Sequence, residues 1–216
     1  MAAVFSPRAD TLFRIALVVA VCLPAGAIAG LMLLARSPLG TGQYDMLSQP
    51  VPFDHRHHAR DEGIDCRYCH DLVERSPYAG IPPTSKCMNC HAQIWNQAAL
   101  LDPVRASVFD DVPIRWNKVH RLPDHVYFNH AIHVSKGVGC VTCHGRVDQM
   151  PLVRQARELT MGWCLDCHRR PEGHLRPRAE VTNMDWKPNV DPVQLGRELA
   201  RRYDVRPRTN CTTCHR

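Results

Sequence analysis

Ten of the eleven cysteines fall into five copies of one pattern. In chain order these are Cys66-Arg67-Tyr68-Cys69-His70, Cys87-Met88-Asn89-Cys90-His91, Cys140-Val141-Thr142-Cys143-His144, Cys164-Leu165-Asp166-Cys167-His168 and Cys211-Thr212-Thr213-Cys214-His215, here numbered motifs 1 to 5. On a helical turn, residues i, i+3 and i+4 share a face. Two thiols so placed reach the two vinyl groups of one macrocycle, and the imidazole lies beneath its iron. C-x-x-C-H is the attachment pattern of c-type haem, so five copies predict five covalently attached haem c groups. Zinc ribbons and disulfide frameworks also use paired cysteines, but neither demands His directly after the second Cys. Here it follows all five times. The remaining thiol, Cys22, lies in an apolar run and reads as an inert membrane residue.

Each motif supplies one axial ligand: His70, His91, His144, His168 and His215. A filled second axial position means electron transfer, and an open one means ligand binding or catalysis. Eight His lie outside the motifs. Four sit in two copies of F-x-H-x-x-H: Phe53-Asp54-His55-Arg56-His57-His58 and Phe128-Asn129-His130-Ala131-Ile132-His133. At i and i+3 the two imidazoles project from one face, and each can serve a different haem. His55, His58, His130 and His133 are therefore read as distal ligands. His57, His125 and His174 are read as solvated or ordinary hydrogen-bonded residues. For the fifth distal ligand His120 comes first, with Met161 and Met150 as competitors. Thioether ligation raises the potential, although Met more often fills a core. The supply of ligands fills every axial position, which favours electron transfer over bond-making chemistry.

The elements that must position these groups are mostly short. The chain has 216 residues, 17 of them Pro, with few aromatics, a poor recipe for a conventional packed core. Each F-x-H-x-x-H is followed by two attachment motifs. The haem domain thus divides into modules at about 51–92 and 126–170, with a fifth haem at 190–216. The linker 93–124 carries Pro103, Pro113 and Pro123 and predicts an irregular path with short helices. Longer helices are expected from Pro151 to His168, on the spacing of Leu152, Val153, Ala156, Leu159 and Trp163, and from Pro192 to Arg202, opened by Asp191 with Gln194 placed for a capping box. No segment alternates as a strand would.

Residues 15–35 are uncharged and mostly apolar, flanked by Arg14 and Arg36, long enough to span a bilayer as one helix. Small residues at Ala25, Ala27 and Ala29 mimic a signal cleavage site, but the run continues through Leu31 to Leu34, beyond a usual signal core. Residues 1–36 are read as a single-pass anchor and 37–216 as the haem domain. Arg8 and Arg14 favour a cytoplasmic N-terminus. Covalent haem attachment occurs outside the cytoplasmic membrane, so the domain belongs in a bacterial periplasm or exterior. The chain is basic, with 27 Lys and Arg against 21 Asp and Glu. Nucleic acid is discounted as the reason, because five haems bring roughly ten propionates for Arg to pair with.

The F-x-H-x-x-H and C-x-x-C-H modules resemble the class III multihaem cytochromes. Over nearly the whole chain the likeness is closer. The N-terminal helix with Arg36-Ser37-Pro38 after it, Gly63-Ile64-Asp65 before motif 1, Val126-Tyr127-Phe128-Asn129-His130, and Met161-Gly162-Trp163 before motif 4 resemble the pentahaem cytochrome c subunit of alternative complex III. That resemblance implies a periplasmic relay in a quinol-oxidising membrane complex. Its neighbours would be an iron–sulfur subunit, integral quinol-binding subunits and a monohaem cytochrome c, with a terminal oxidase downstream. It does not fix the fifth distal ligand. The expected fold is mainly α with much irregular structure: one transmembrane helix, two repeated two-haem modules and a C-terminal fifth haem. The expected role is a non-catalytic electron-transfer subunit. Two other readings compete, a self-sufficient quinol dehydrogenase with one anchor helix and a multihaem reductase with a five-coordinate iron.

Overall fold

A computed structural model describes residues 6–215. Two compact units divide the chain at Gly42/Gln43. The first is dominated by α1 (Pro7–Arg36). Ser6 caps it, its hydroxyl accepting from the Ala9 amide at 3.3 Å, and Pro7 occupies the first turn, where no amide is needed. Pro24 lies inside α1 without ending it, and none of its residues is buried. Its best 18-residue window has a mean hydropathy of 2.5. By length and composition α1 is long and apolar enough to cross a membrane or to serve as a signal sequence. Ser37 stops it and opens the single turn α2 (Pro38–Thr41).

The second unit is built from short helices and long connections. A π-helical turn (Arg56–Asp61) carries His58, with His55 at the N-cap position directly before the turn. Then come α3 (Cys66–Cys69), α4 (Thr84–His91), α5 (Asp102–Phe109), α6 (His130–Ser135), α7 (Cys140–His144), α8 (Met161–Arg169) and α9 (Pro192–Arg202). Among the described residues there is no strand, only isolated bridges such as Val126 with His215 and Val138 with Leu175. The linker forms α5 and one preceding 3-10 turn, Ala99–Leu101.

α9 starts where Asp191-Pro192 predicts. The Asp191 carboxylate accepts from the Gln194 amide at 2.7 Å. Its apolar face supplies Leu195, Leu199 and Tyr203, which pack with Leu175, Val138 and Val205. The helix expected over 151–168 is shorter and begins at Met161, with the Thr160 hydroxyl accepting from Trp163 N. The backbone ahead of it is committed elsewhere. Tyr44 N donates to the Gln155 carbonyl at 2.9 Å, Gln43 Nε2 donates to that of Ala156 at 2.9 Å, and Arg154 bridges Met46. Leu159 then sits at φ 53°, a left-handed conformation that breaks any helix.

Candidate haem centres

Two of the five attachment motifs fold as α-helical turns of their own, α3 and α7, and two more close the longer helices α4 and α8. Motif 5 forms a 3-10 turn, Cys211–Thr213. The turn of α3 is capped with care. Asp65 accepts from Arg67 N at 2.8 Å, from the Arg67 guanidinium at 2.9 Å, and from the Thr182 hydroxyl at 2.9 Å. The Arg67 guanidinium, with the Arg67 amide and Thr182 behind it, holds the Asp65 carboxyl down at about 2. A carboxyl depressed on folding stabilises above its ordinary value near 3.8, and that contribution is lost as pH falls toward 2. Asp65→Ala is expected to cost about 1 kcal/mol of stability at neutral pH, the usual worth of an N-cap. Denaturant unfolding of the haem-loaded chain checks this, and the deficit against wild type should shrink between pH 4 and pH 2.

Seven of the imidazoles share one hydrogen-bonding scheme. Nδ1 faces a backbone carbonyl in His58 (Asp54, 3.0 Å), His70 (Gly80, 2.7 Å), His91 (Ile94, 3.0 Å), His130 (Pro77, 2.8 Å), His133 (Asn129, 2.7 Å), His168 (Arg208, 3.0 Å) and His215 (His125, 3.1 Å). A carbonyl only accepts, so Nδ1 carries the proton and Nε2 keeps its lone pair for a metal. Burial, followed by neighbouring imidazoles, holds His144 down to about 3 and His55 down to about 4. His120, His130 and His133 are also pushed down, chiefly by burial. Neutral rings of this kind suit iron.

The two F-x-H-x-x-H segments are laid out alike. Phe53 stacks on His58 (ring centres 4.4 Å apart) and meets His55 edge-on at 4.7 Å. Phe128 stacks on His133 at 4.5 Å and meets His130 edge-on at 4.7 Å. Asp54 and Asn129, each directly after its Phe, offer the carbonyls four residues before the second His. Sequence reasoning passed over both roles, although each position recurs in the two copies.

Two imidazoles holding one iron between their Nε2 atoms, at a metal–nitrogen distance near 2.0 Å, have ring centres about 6.2 Å apart. His58 and His91 stand 6.1 Å apart, His133 and His168 6.1 Å, and His130 and His144 6.3 Å. His55 is next to His70 in its electrostatics, and its buried Nδ1 has no protein hydrogen-bond partner. An unpaired buried nitrogen is costly within the polypeptide alone. These spacings fit haem irons held between pairs of His. Among the described residues no group of three or more His, Cys, Asp and Glu gathers to hold a bare metal ion.

The fifth centre differs. The ring beside His215 is that of His125, at 5.4 Å, and His125 also gives His215 its carbonyl. His120 lies against His144 instead, 3.3 Å from Nε2 to Nδ1. Met150 is buried where its methyl faces Gly145, and Met161 is exposed at the start of α8. His57 stacks on Trp95 at 5.2 Å and His174 is exposed.

The motifs follow one another in space in an order that the chain does not. Motif 2 reaches motif 1 through Lys86 Nζ, which donates to the Tyr68 carbonyl at 2.9 Å, and Asn89 Nδ2, which donates to the Tyr68 hydroxyl at 3.1 Å. Motif 1 meets motif 3 where the side chains of Cys66 and Cys140 lie beside each other. Nearby, Cys140 N donates to the Val181 carbonyl at 3.0 Å, one residue before the Thr182 that caps Asp65. Motif 3 adjoins motif 4, since His130 and His133 on α6 face His144 and His168. Motif 4 adjoins motif 5 where His168 and Arg208 exchange hydrogen bonds and Cys164 neighbours Cys214. The sequence of contacts runs 2–1–3–4–5. Of the motif thiols, Cys90 and Cys211 are exposed, one in each terminal motif of that series.

Comparison with known proteins agrees with this chemistry. The chain is 34% identical over 106 residues to the menaquinone reductase, multiheme cytochrome c subunit, of Nitratidesulfovibrio vulgaris. The alignment covers 47% of this chain and 48% of that protein, so it spans about half the length of its curated relative. Residues 126–216 match the family model of cytochrome c7 and related cytochrome c.

Proposed function

We propose that this chain is the electron-transfer subunit of a membrane quinol:acceptor oxidoreductase of the alternative complex III type. It holds five covalently attached haem c groups and relays electrons toward a monohaem cytochrome or terminal oxidase. The observation that carries the reading is the unbroken series of five attachment motifs, 2–1–3–4–5, with imidazole pairs spaced for axial ligation along it. When bound, c-type haem supplies reversible one-electron change at its iron.

The chain's own residues hold and orient. Cys66, Cys69, Cys87, Cys90, Cys140, Cys143, Cys164, Cys167, Cys211 and Cys214 anchor the macrocycles. His55 pairs with His70, His58 with His91, His130 with His144 and His133 with His168. For His215 the distal ligand is Met161: it lies one turn before Cys164, on the same helix face, and Cys164 neighbours Cys214. Thioether ligation there would raise the potential at one end of the series. The backbone carbonyls fix the ring tautomers, and the Phe wedges set the ring planes. Burial keeps water from the central pairs. α1 anchors the subunit in the cytoplasmic membrane, with the haem domain in the periplasm beside an iron–sulfur subunit, integral quinol-binding subunits and a monohaem cytochrome c. The likeness to a menaquinone reductase subunit supports a quinone-linked complex and favours, as a second reading, electron flow toward quinone.

Purification of the full chain in mild detergent tests this. Iron–sulfur and polytopic subunits should copurify, haem staining should count five haems per chain, and a quinol should reduce them only in the complex. Quinol oxidation by the isolated subunit, or a high-spin ferric signal from an open axial position, overturns the reading. Quinone reduction driven by a reduced cytochrome would reverse the direction alone.

A further inference from the structure

Among the five attachment imidazoles, four place Nδ1 against a backbone carbonyl, and His144 does not. Its Nδ1 faces the side chain of His120, 3.3 Å from Nε2, with the rings nearly perpendicular (76°) and their centres 4.5 Å apart. On its other side, His144 faces His130 in parallel at 6.3 Å, the spacing of an axial pair. The segment that carries His120 is clamped. Asn117 N donates to Gln49 Oε1 at 2.9 Å, Gln49 Nε2 donates to the Asn117 carbonyl at 2.8 Å, and Asn117 Nδ2 donates to the Ser48 carbonyl at 2.7 Å.

We infer that His120 is a positioning residue that accepts the Nδ1 proton of His144 and thereby lowers the potential of the motif 3 centre relative to the others. The inference rests on the reading above that His144 binds iron through Nε2. With Nε2 committed, Nδ1 must carry the proton, and His120 Nε2 must be the acceptor, which places the proton of His120 on its own Nδ1. An imidazole nitrogen is a far stronger base than an amide oxygen, so it draws the proton more strongly and makes His144 the more basic ligand. A more basic ligand favours the oxidised iron. The sequence ranks His120 first, ahead of Met161 and Met150, for the fifth distal position; the contact with His144 assigns it a different partner and a different task in this proposal.

The test is a pair of variants in the full, haem-loaded chain. His120→Leu removes the acceptor, and His120→Gln keeps one at similar volume. Visible redox titration should show one midpoint rising in His120→Leu while the others stay within the scatter of repeat titrations. His120→Gln should leave that midpoint nearer the wild-type value. Both should remain fully low-spin. His120→Asn, too short to reach His144, replaces the Leu variant if that one does not fold. A high-spin ferric band in His120→Leu would make His120 an axial ligand and overturn the inference, as would unmoved midpoints or equal shifts in the Leu and Gln variants. Cys140→Ala with Cys143→Ala separates the two levels of failure: if that variant keeps its full haem count, the reading of motif 3 itself fails.

Discussion

Replacing Cys140 and Cys143 together with Ala is expected to remove about one haem in five and to cut the relay into two parts that no longer exchange electrons rapidly. Motif 3 stands between motif 1, through the Cys66–Cys140 contact, and motif 4, through the two imidazoles of α6. The control is Cys211→Ala with Cys214→Ala, which removes the same amount of haem from one end of the series and leaves four motifs in contact. Haem content should fall equally in the two variants. Rapid reduction followed by spectroscopic observation of electron redistribution should then separate them, with equilibration slowed sharply only when motif 3 is lost. Tunnelling rates fall steeply with distance, so a gap in the middle has no substitute route. If both variants equilibrate alike, motif 3 is not the junction.

Gly196→Ala is expected to destabilise the haem domain by about 3 kcal/mol or more, against the usual gain of about 1 kcal/mol for this exchange inside a helix. α9 crosses the Pro171–His174 turn at Gly196, which is buried. A Cβ there would run into the main-chain carbonyl of Glu172, with its carbon 2.7 Å away. Backbone lies on both sides of the contact, so no flexible side-chain tip can yield. The helix would have to lift, taking Leu195, Leu199 and Tyr203 off Leu175. Denaturant unfolding of the loaded protein measures the loss. A variant as stable as wild type would show that α9 tolerates a wider separation from this turn.

The residues proposed to hold haem stand out in the sequence because C-x-x-C-H attachment demands a rigid local spacing. The histidine pairs stand out because the same local geometry occurs twice. α9 was legible from Asp191, Pro192 and the spacing of Leu195 and Leu199, all within one helix. The stretch before α8 misled for the opposite reason. Its apolar spacing is helical, but its backbone is hydrogen-bonded to residues 43–46, more than a hundred positions away. His120 was unreadable in the same way. A lone histidine in a Pro-bordered segment gives no sign of which ring it will meet, because the meeting depends on how 116–120 is tied to Ser48 and Gln49.

Seven of the imidazoles take their Nδ1 partner from the main chain. Every residue type offers the same carbonyl there, so the side chains at Asp54, Gly80, Ile94, Asn129, Arg208 and His125, and the ring of Pro77, can be exchanged without removing the acceptor itself. The tautomers of those imidazoles are shielded from substitution. His144 has no such shield. Its partner is a side chain that a single codon change can strengthen, weaken or delete. The centre at motif 3 is thus the one whose electronic character selection, or an engineer, could retune in small steps while the neighbouring centres keep theirs.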